Sequence, residues 1–252
     1  MLPGLLEVAV RFRPAVETSG DFYDVLRLAA PAEGGLPPLQ IAVGDVAGKG
    51  MAAALVTALA RSALHATASV PTRMASPSGT LREAGGRLHR DVGASHFVAC
   101  ALAVVEPPGR HHAGPLLRLA NVAQAPVLLV RSGNCREIEP PGYRLPLGVE
   151  EDGAYEDVKL ELRPGDAVVF SSDGLAEAPA LAGAVVGEHL SPPVEARELF
   201  GFDRLASSVA HWATHAPDAE GVAAGIWADL TAWCGDESHH DDMTLLVLRV
   251  TA

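Results

Sequence analysis

The chain is poor in aromatic residues, in basic residues and in cysteine, and each shortage excludes something. Aromatic residues make up 5% of it, so a core must be built mainly from Val, Leu and Ala. Lys and Arg number 19 against 31 Asp and Glu, for a net charge of −12. An acidic domain repels phosphate backbones, which argues against a nucleic-acid partner. Cys100, Cys135 and Cys234 are three scattered thiols with no CxxC pair. They give neither a disulfide framework nor a zinc motif and are expected to be reduced, as in a cytoplasmic protein. No apolar run approaches the ~18 residues of a spanning helix, so no membrane insertion is expected. The opening stretch MLPGLLEVAV has no basic region followed by a long apolar one, so it does not read as a signal peptide.

What is present suits an ordinary globular protein. At 252 residues and 48% hydrophobic, there is material for one large α/β domain or two small ones. No internal repeat or linker divides the chain, and a single domain over 1–252 is expected. LLEVAVRF, DFYDVLRLAA and LQIAVGDV read as strands. MAAALVTALARSALHATASV carries apolar residues at helical spacing for about five turns. Thr80 and Glu83 form a capping-box pattern, so a second helix is expected from there to about Asp91. HFVACALAVVE, PLLRLANV, APVLLVRSG and YEDVKLELRPGDAVVFSSDG are β-rich runs, with ELRPGD a tight turn between two paired strands. Residues 177–198 lack a period, contain prolines and read as an irregular, mobile flap. Helical patterns return at 202–215 and 217–233, and MTLLVLRV closes the chain as a strand. Successive strands joined by short turns favour antiparallel sheets, and the order predicts an α+β sandwich with helices covering sheet faces.

The loop AVGDVAGKG invites a nucleotide reading, which fails on spacing. A P-loop needs G-x-x-x-x-G-K-[ST], yet counting from Gly44 the second glycine falls on Lys49, and Gly50 follows. G-x-G-x-x-G fails as well, because Ala53 stands where the third glycine is needed. Asp45 is then the odd residue: a charge at the end of an apolar strand is costly unless compensated. A carboxylate that caps the following turn explains it equally well when it is taken alone. Asp21 after Gly20, Asp173 before Gly174, and Asp241–Asp242 before the last strand shift that balance. Carboxylates gathered at strand ends need a counter-charge. Mg²⁺ and Mn²⁺ take oxygen ligands, and glycine lets backbone carbonyls approach.

SGDFYDV, GDVAGKGMAAAL, SSDGLAEA and DDMTLLVLRV, in that order, resemble the metal-dependent protein serine/threonine phosphatases, in the bacterial branch of SpoIIE and RsbU type. RFRPA and YRLPLGV fit as well, and the likeness spans nearly the whole chain. It implies two packed antiparallel sheets flanked by helices and two divalent cations, Mn²⁺ or Mg²⁺. It further implies that Asp45 bridges the cations and the Val46 carbonyl is a further ligand. Asp21 is implied for one cation, and Asp173 and Asp241 for the other. Asp24 is implied as a support for the site. The implied reaction is hydrolysis of phosphoserine or phosphothreonine by activated water. The implied partner is a phosphorylated regulatory protein such as an anti-sigma-factor antagonist. The alternative is a pseudophosphatase that keeps the fold as a binding module. One departure favours it: Ala123–Gln124 stand where relatives often carry Gly-His.

Several other residues invite roles. Ser171 and Ser172 read as strand residues, since no G-x-S-x-G elbow surrounds them. Lys49 reads as a solvated loop lysine, with a phosphate contact as the alternative. His111–His112 and His239–His240 lack zinc-site spacing; a proton-transfer role near the site is open to the second pair. Arg11 and Arg13 share a strand face and could reach a substrate phosphate or remain at the surface.

Overall fold

The computed structural model describes all residues except 1–3, 16–17, 31–34, 49, 69–75, 93–95, 110–111, 194, 196, 236–240 and 252. Lys49, His111, His239 and His240 therefore lie outside the described residues. The chain forms two compact units. The first comprises Met1–Leu2, Thr18–Gln124 and Glu139–Pro164, and the second Pro3–Glu17, Ala125–Ile138 and Gly165–Ala252. Each is built on a five-stranded antiparallel sheet flanked by helices, the fold class expected.

In the first unit, strands β2 (Phe22–Arg27), β3 (Leu39–Val46), β4 (Val98–Glu106), β5 (Leu116–Val122) and β8 (Val158–Glu161) lie in that order across the sheet. β3 has neighbours on both sides, which is why LQIAVGDV is apolar almost throughout and nearly all buried. Helices α1 (Met51–Ala68) and α2 (Pro77–Val92) pack on each other, α1 against β3 and α2 against β4 and β5. The core between them is aliphatic, with Leu64, Leu81, Leu88, Leu102 and Leu147. α2 begins at Pro77, three residues before the expected capping box. Ser76 caps it, its Oγ accepting the Gly79 N–H at 3.1 Å, while proline occupies the first helical position, where its missing N–H costs nothing. Thr80 is buried inside the helix.

In the second unit the order is β1 (Leu6–Arg13), β10 (Met243–Val250), β9 (Ala167–Ser171), β6 (Val127–Arg131), β7 (Asn134–Ile138). Helix α3 (Asp173–Ala176) is a single turn, and α4 (Gly201–His215) and α5 (Ala219–Cys234) cover the sheet. α4 and α5 approach closely at Gly225, where a Cβ would lie 2.1 Å from the Trp212 ring. β7 was not legible as a strand because NCREI is polar and lies at the sheet edge. Its signal is the two-residue loop Ser132–Gly133, with φ of 51° and 79°, the left-handed pair that a tight hairpin needs.

One expected pairing is corrected. β8 and β9 are not partners across ELRPGD: β8 pairs with β5, and β9 with β10 and β6. The turn carries the chain from one sheet to the other, and Gly165 there donates its N–H to Val250 at 2.9 Å. The described residues of 177–198 form no helix or regular strand, as expected, but the segment is tied at its ends. Ala180 N–H bonds Glu198 O at 2.7 Å and Phe200 N–H bonds Ala178 O at 2.8 Å, while the Trp233 indole N–H reaches Ala178 O at 3.0 Å. The middle is tied as well, with His189 Nε2 bonded to Asp229 at 2.8 Å and Leu190 buried. No helix among the described residues is long and apolar enough to cross a membrane.

Candidate metal centre

In the first unit the geometry gathers around the start of β2 and the end of β3. Phe22 is in register with Gly44, and its ring occupies the space a Gly44 side chain would take, 2.4 Å from an ideal Cβ. The ladder continues one step outward, with Val46 N–H donating to Gly20 O at 3.2 Å. Asp21 and Asp45 therefore stand opposite each other, and directly opposed residues of an antiparallel pair share one face with Cβ atoms about 5 Å apart. Asp21 is 4% exposed and Asp45 half-buried. Two carboxylates so placed suit a cation.

Gly20 makes room for one. A Cβ on Gly20 would lie 2.9 Å from the Val46 carbonyl oxygen, 3.1 Å from Asp45 Oδ1 and 3.6 Å from the Gly48 carbonyl oxygen. Three oxygens thus converge on space that only glycine leaves open. Hard oxygen donors, both carboxylate and carbonyl, are the set that Mg²⁺ and Mn²⁺ select. The residues present fit such a cation.

In the second unit, Asp173 opens α3 directly after β9, and Asp241 precedes β10. Burial and then the neighbouring Asp241 push the Asp173 carboxyl above its ordinary value. Glu177 joins this group, raised by burial and then by Asp173 and Asp241. Glu177 is not evident as part of this group from sequence motifs. Its signal was the four-residue step from Asp173, which brings side chains to one helix face. Gly174 allows the approach of the two chain segments, since a Cβ there would lie 2.0 Å from the Asp242 carbonyl oxygen. Within either unit, no three His, Cys, Asp or Glu side chains among the described residues form a ready cation cage. The acidic side chains of the first unit stand beside main-chain oxygens, and those of the second stand beside one another.

The neighbouring residues have other roles. Asp242 is 9% exposed and accepts the Ala15 N–H at 2.7 Å. Ser172 is fully buried; its Oγ accepts the Thr244 N–H at 3.0 Å and donates to Asp242 O at 3.3 Å, which makes it a staple rather than a nucleophile. Asp24 accepts from Arg61 at 2.8 and 3.1 Å and bonds His65 at 2.9 Å. Burial opposes its charge, but these two partners, Arg61 first, hold its carboxyl below the usual range. Asp24 thus anchors α1 to β2. Arg11 pairs with Glu220, and Arg13 lies over the Trp227 ring at 5.3 Å; α5 engages both. His112 Nδ1 bonds the Gly114 carbonyl at 2.7 Å, within a turn.

The family model for Stage II sporulation protein E (SpoIIE) matches residues 38–251. The chain belongs to the SpoIIE family. It is similar to the phosphoserine phosphatase RsbU of Bacillus subtilis, with 26% identity over 246 residues, 97% of this chain and 63% of that protein. The chain thus spans somewhat under two thirds of that relative's length. Among solved structures, the RsbU and RsbW domains of Rv1364c from Mycobacterium tuberculosis match with a TM-score of 0.74 and 23% identity, covering 98% of this chain and 60% of that one. The SiaA-PP2C domain of Pseudomonas aeruginosa matches with a TM-score of 0.72 and 25% identity, covering 96% and 84%. The fold is thereby shared with both structures over nearly the whole of this chain.

Proposed function

We propose that this chain is a metal-dependent protein phosphatase acting on phosphoserine or phosphothreonine, and that 1–252 works as one catalytic domain. The observation that carries the reading is the oxygen-lined space at Gly20, beside the opposed Asp21 and Asp45, in a chain of this family. Solved relatives include a magnesium complex, and two divalent cations, Mn²⁺ or Mg²⁺, are assigned here. Their proposed ligands are Asp21, Asp45 and the Val46 carbonyl in the first unit, with Asp173 and Asp241 in the second.

When bound, such cations supply Lewis acidity, bringing the pKa of a water near neutral and offsetting charge on phosphoryl oxygens. The chain's own contribution is to hold the oxygens in place. Gly20 leaves their space open, Ser19 Oγ donates to Asp21 O at 3.2 Å, and Gly174 lets the turn after β9 approach the start of β10. No serine or cysteine nucleophile is assigned: Ser172 is bonded and buried, and burial pushes the Cys100 thiol up to about 12.

The proposed substrate is a small phosphorylated regulatory protein, with an anti-sigma-factor antagonist as the leading class. Support comes from the likeness to RsbU. The pseudophosphatase alternative gains nothing from Ala123. That residue has φ of 59°, the left-handed conformation that glycine favours, so alanine does not exclude that backbone here. Manganese-dependent release of phosphate from p-nitrophenyl phosphate and from a phosphoserine protein tests the reading. Activity is expected with metal, abolished by chelator, and reduced most by Asp45→Asn. Full activity in excess chelator overturns it.

A further inference from the structure

The Gly20 carbonyl accepts two hydrogen bonds, and the second comes from outside the sheet. Val46 N–H donates at 3.2 Å, and the hydroxyl of Thr57, 37 residues away on α1, donates at 3.1 Å. A carbonyl oxygen has two lone pairs, so both are engaged. The same peptide unit carries the Asp21 N–H. Fixing its carbonyl therefore fixes the plane from which Asp21 departs, and with it the approach of Gly20 to Val46 O and Asp45 Oδ1.

Thr57 is otherwise an odd choice. α1 is rich in Ala and Leu, and threonine is a weaker helix former than either. A mid-helix threonine commonly turns its hydroxyl back to the carbonyl four residues earlier. Here it reaches across to the strand end. Valine, with the same shape and no hydroxyl, would fill the position without that bond.

We propose that Thr57 is a positioning residue for the proposed cation site, its hydroxyl setting the Gly20–Asp21 peptide so that the oxygens of Asp21, Asp45 and Val46 can serve one cation. The inference rests on the metal-dependent reading above. Asp24 holds the same helix one turn further along, through Arg61 and His65. α1 is thus secured to β2 at two levels, one of which addresses the site.

Manganese titration calorimetry on the full chain tests this without activity. Thr57→Val removes the donor and keeps the shape, and Thr57→Ser keeps the donor and loses the methyl. Loss of one neutral hydrogen bond predicts binding about fivefold weaker in Thr57→Val, with near wild-type binding in Thr57→Ser. Under steady state with p-nitrophenyl phosphate, the manganese needed for half-maximal rate should rise in Thr57→Val while kcat at saturating metal stays close to wild type. Equal affinity in Thr57→Val and wild type overturns the inference. So does weakening in Thr57→Ser that matches Thr57→Val, which would assign the effect to packing. Should Thr57→Val fail to fold, Thr57→Ala takes its place against Thr57→Ser. A wild-type chain that binds no manganese instead overturns the metal-dependent reading itself.

Discussion

Asp242 accepts the backbone N–H of Ala15 at 2.7 Å, across 227 positions of sequence. The bond ties the end of β1 to the start of β10, and it separates the two tandem aspartates by role. Burial, and after it the charge of Asp241, raise Asp173. Asp241→Asn should weaken manganese binding at least tenfold and remove most activity. Asp242→Asn keeps an acceptor and should be mild in both respects. Asp242→Ala removes a hydrogen bond to a charged group, which costs about 2 kcal/mol, and should lower the melting temperature by several degrees with little change in metal affinity. Parallel calorimetry and thermal melts check all three; greater metal loss in Asp242→Asn than in Asp241→Asn reverses the assignment.

Gly20→Ala should be more harmful than an ordinary glycine change. Its Cβ would sit 2.9 Å from Val46 O and 3.1 Å from Asp45 Oδ1, closer than carbon and oxygen rest comfortably. Strain of this kind costs about 1–3 kcal/mol. Manganese affinity is expected to fall by tenfold or more, because the added methyl occupies the space where the oxygens converge. Retained affinity in a folded variant would show that this space is not the cation's.

Ala123→Gly should stabilise the protein. An alanine in the left-handed region, at φ 59°, is strained by about 1–2 kcal/mol. Glycine's extra freedom in the unfolded chain gives back about 0.4–1 kcal/mol. The net expectation is a gain of about 0.5–1 kcal/mol, read as a rise of a few degrees in melting temperature. The turn's other fastening, Gln124 N–H to Asn121 Oδ1 at 3.0 Å, is retained.

Acidification should loosen the second unit at a histidine stack. His189 and His211 stack at 3.9 Å, and His211 and His215 at 4.4 Å. Asp229 receives His189, the Ser208 hydroxyl and the Trp212 indole on one oxygen, at 2.8, 2.6 and 2.7 Å. Burial, then His189 and His215, push His211 below its ordinary value, against the pull of Asp229. The folded state therefore binds fewer protons here than the unfolded one, so stability falls as pH drops through the ordinary histidine value near 6.5. Melting temperature measured from pH 7.5 to 5.5 should decline, with a smaller decline in His211→Gln. An equal decline in both would place the sensitivity elsewhere.

The sequence alone determined most strands and the four long helices, though not edge strand β7 or the single turn α3, and where the acidic residues lie along them. LQIAVGDV is apolar because β3 is flanked on both sides, and that run, ending in Asp45, is visible without coordinates. The glycines beside Asp21, Asp45 and Asp173 marked close approach, and Gly20 and Gly174 make it. These signals are local: period, propensity and backbone permissiveness act within a few residues. Only the tertiary structure decided that β8 joins β5 while β9 joins β10 and β6. A turn such as RPGD permits a hairpin without requiring one, and register is chosen by burial of whole faces. It likewise decided that Asp242 belongs to Ala15, that Asp24 belongs to α1, and that the Thr57 hydroxyl belongs to Gly20. Each of these bonds joins residues 37 or more positions apart. Such pairings follow from packing, which a linear pattern does not encode.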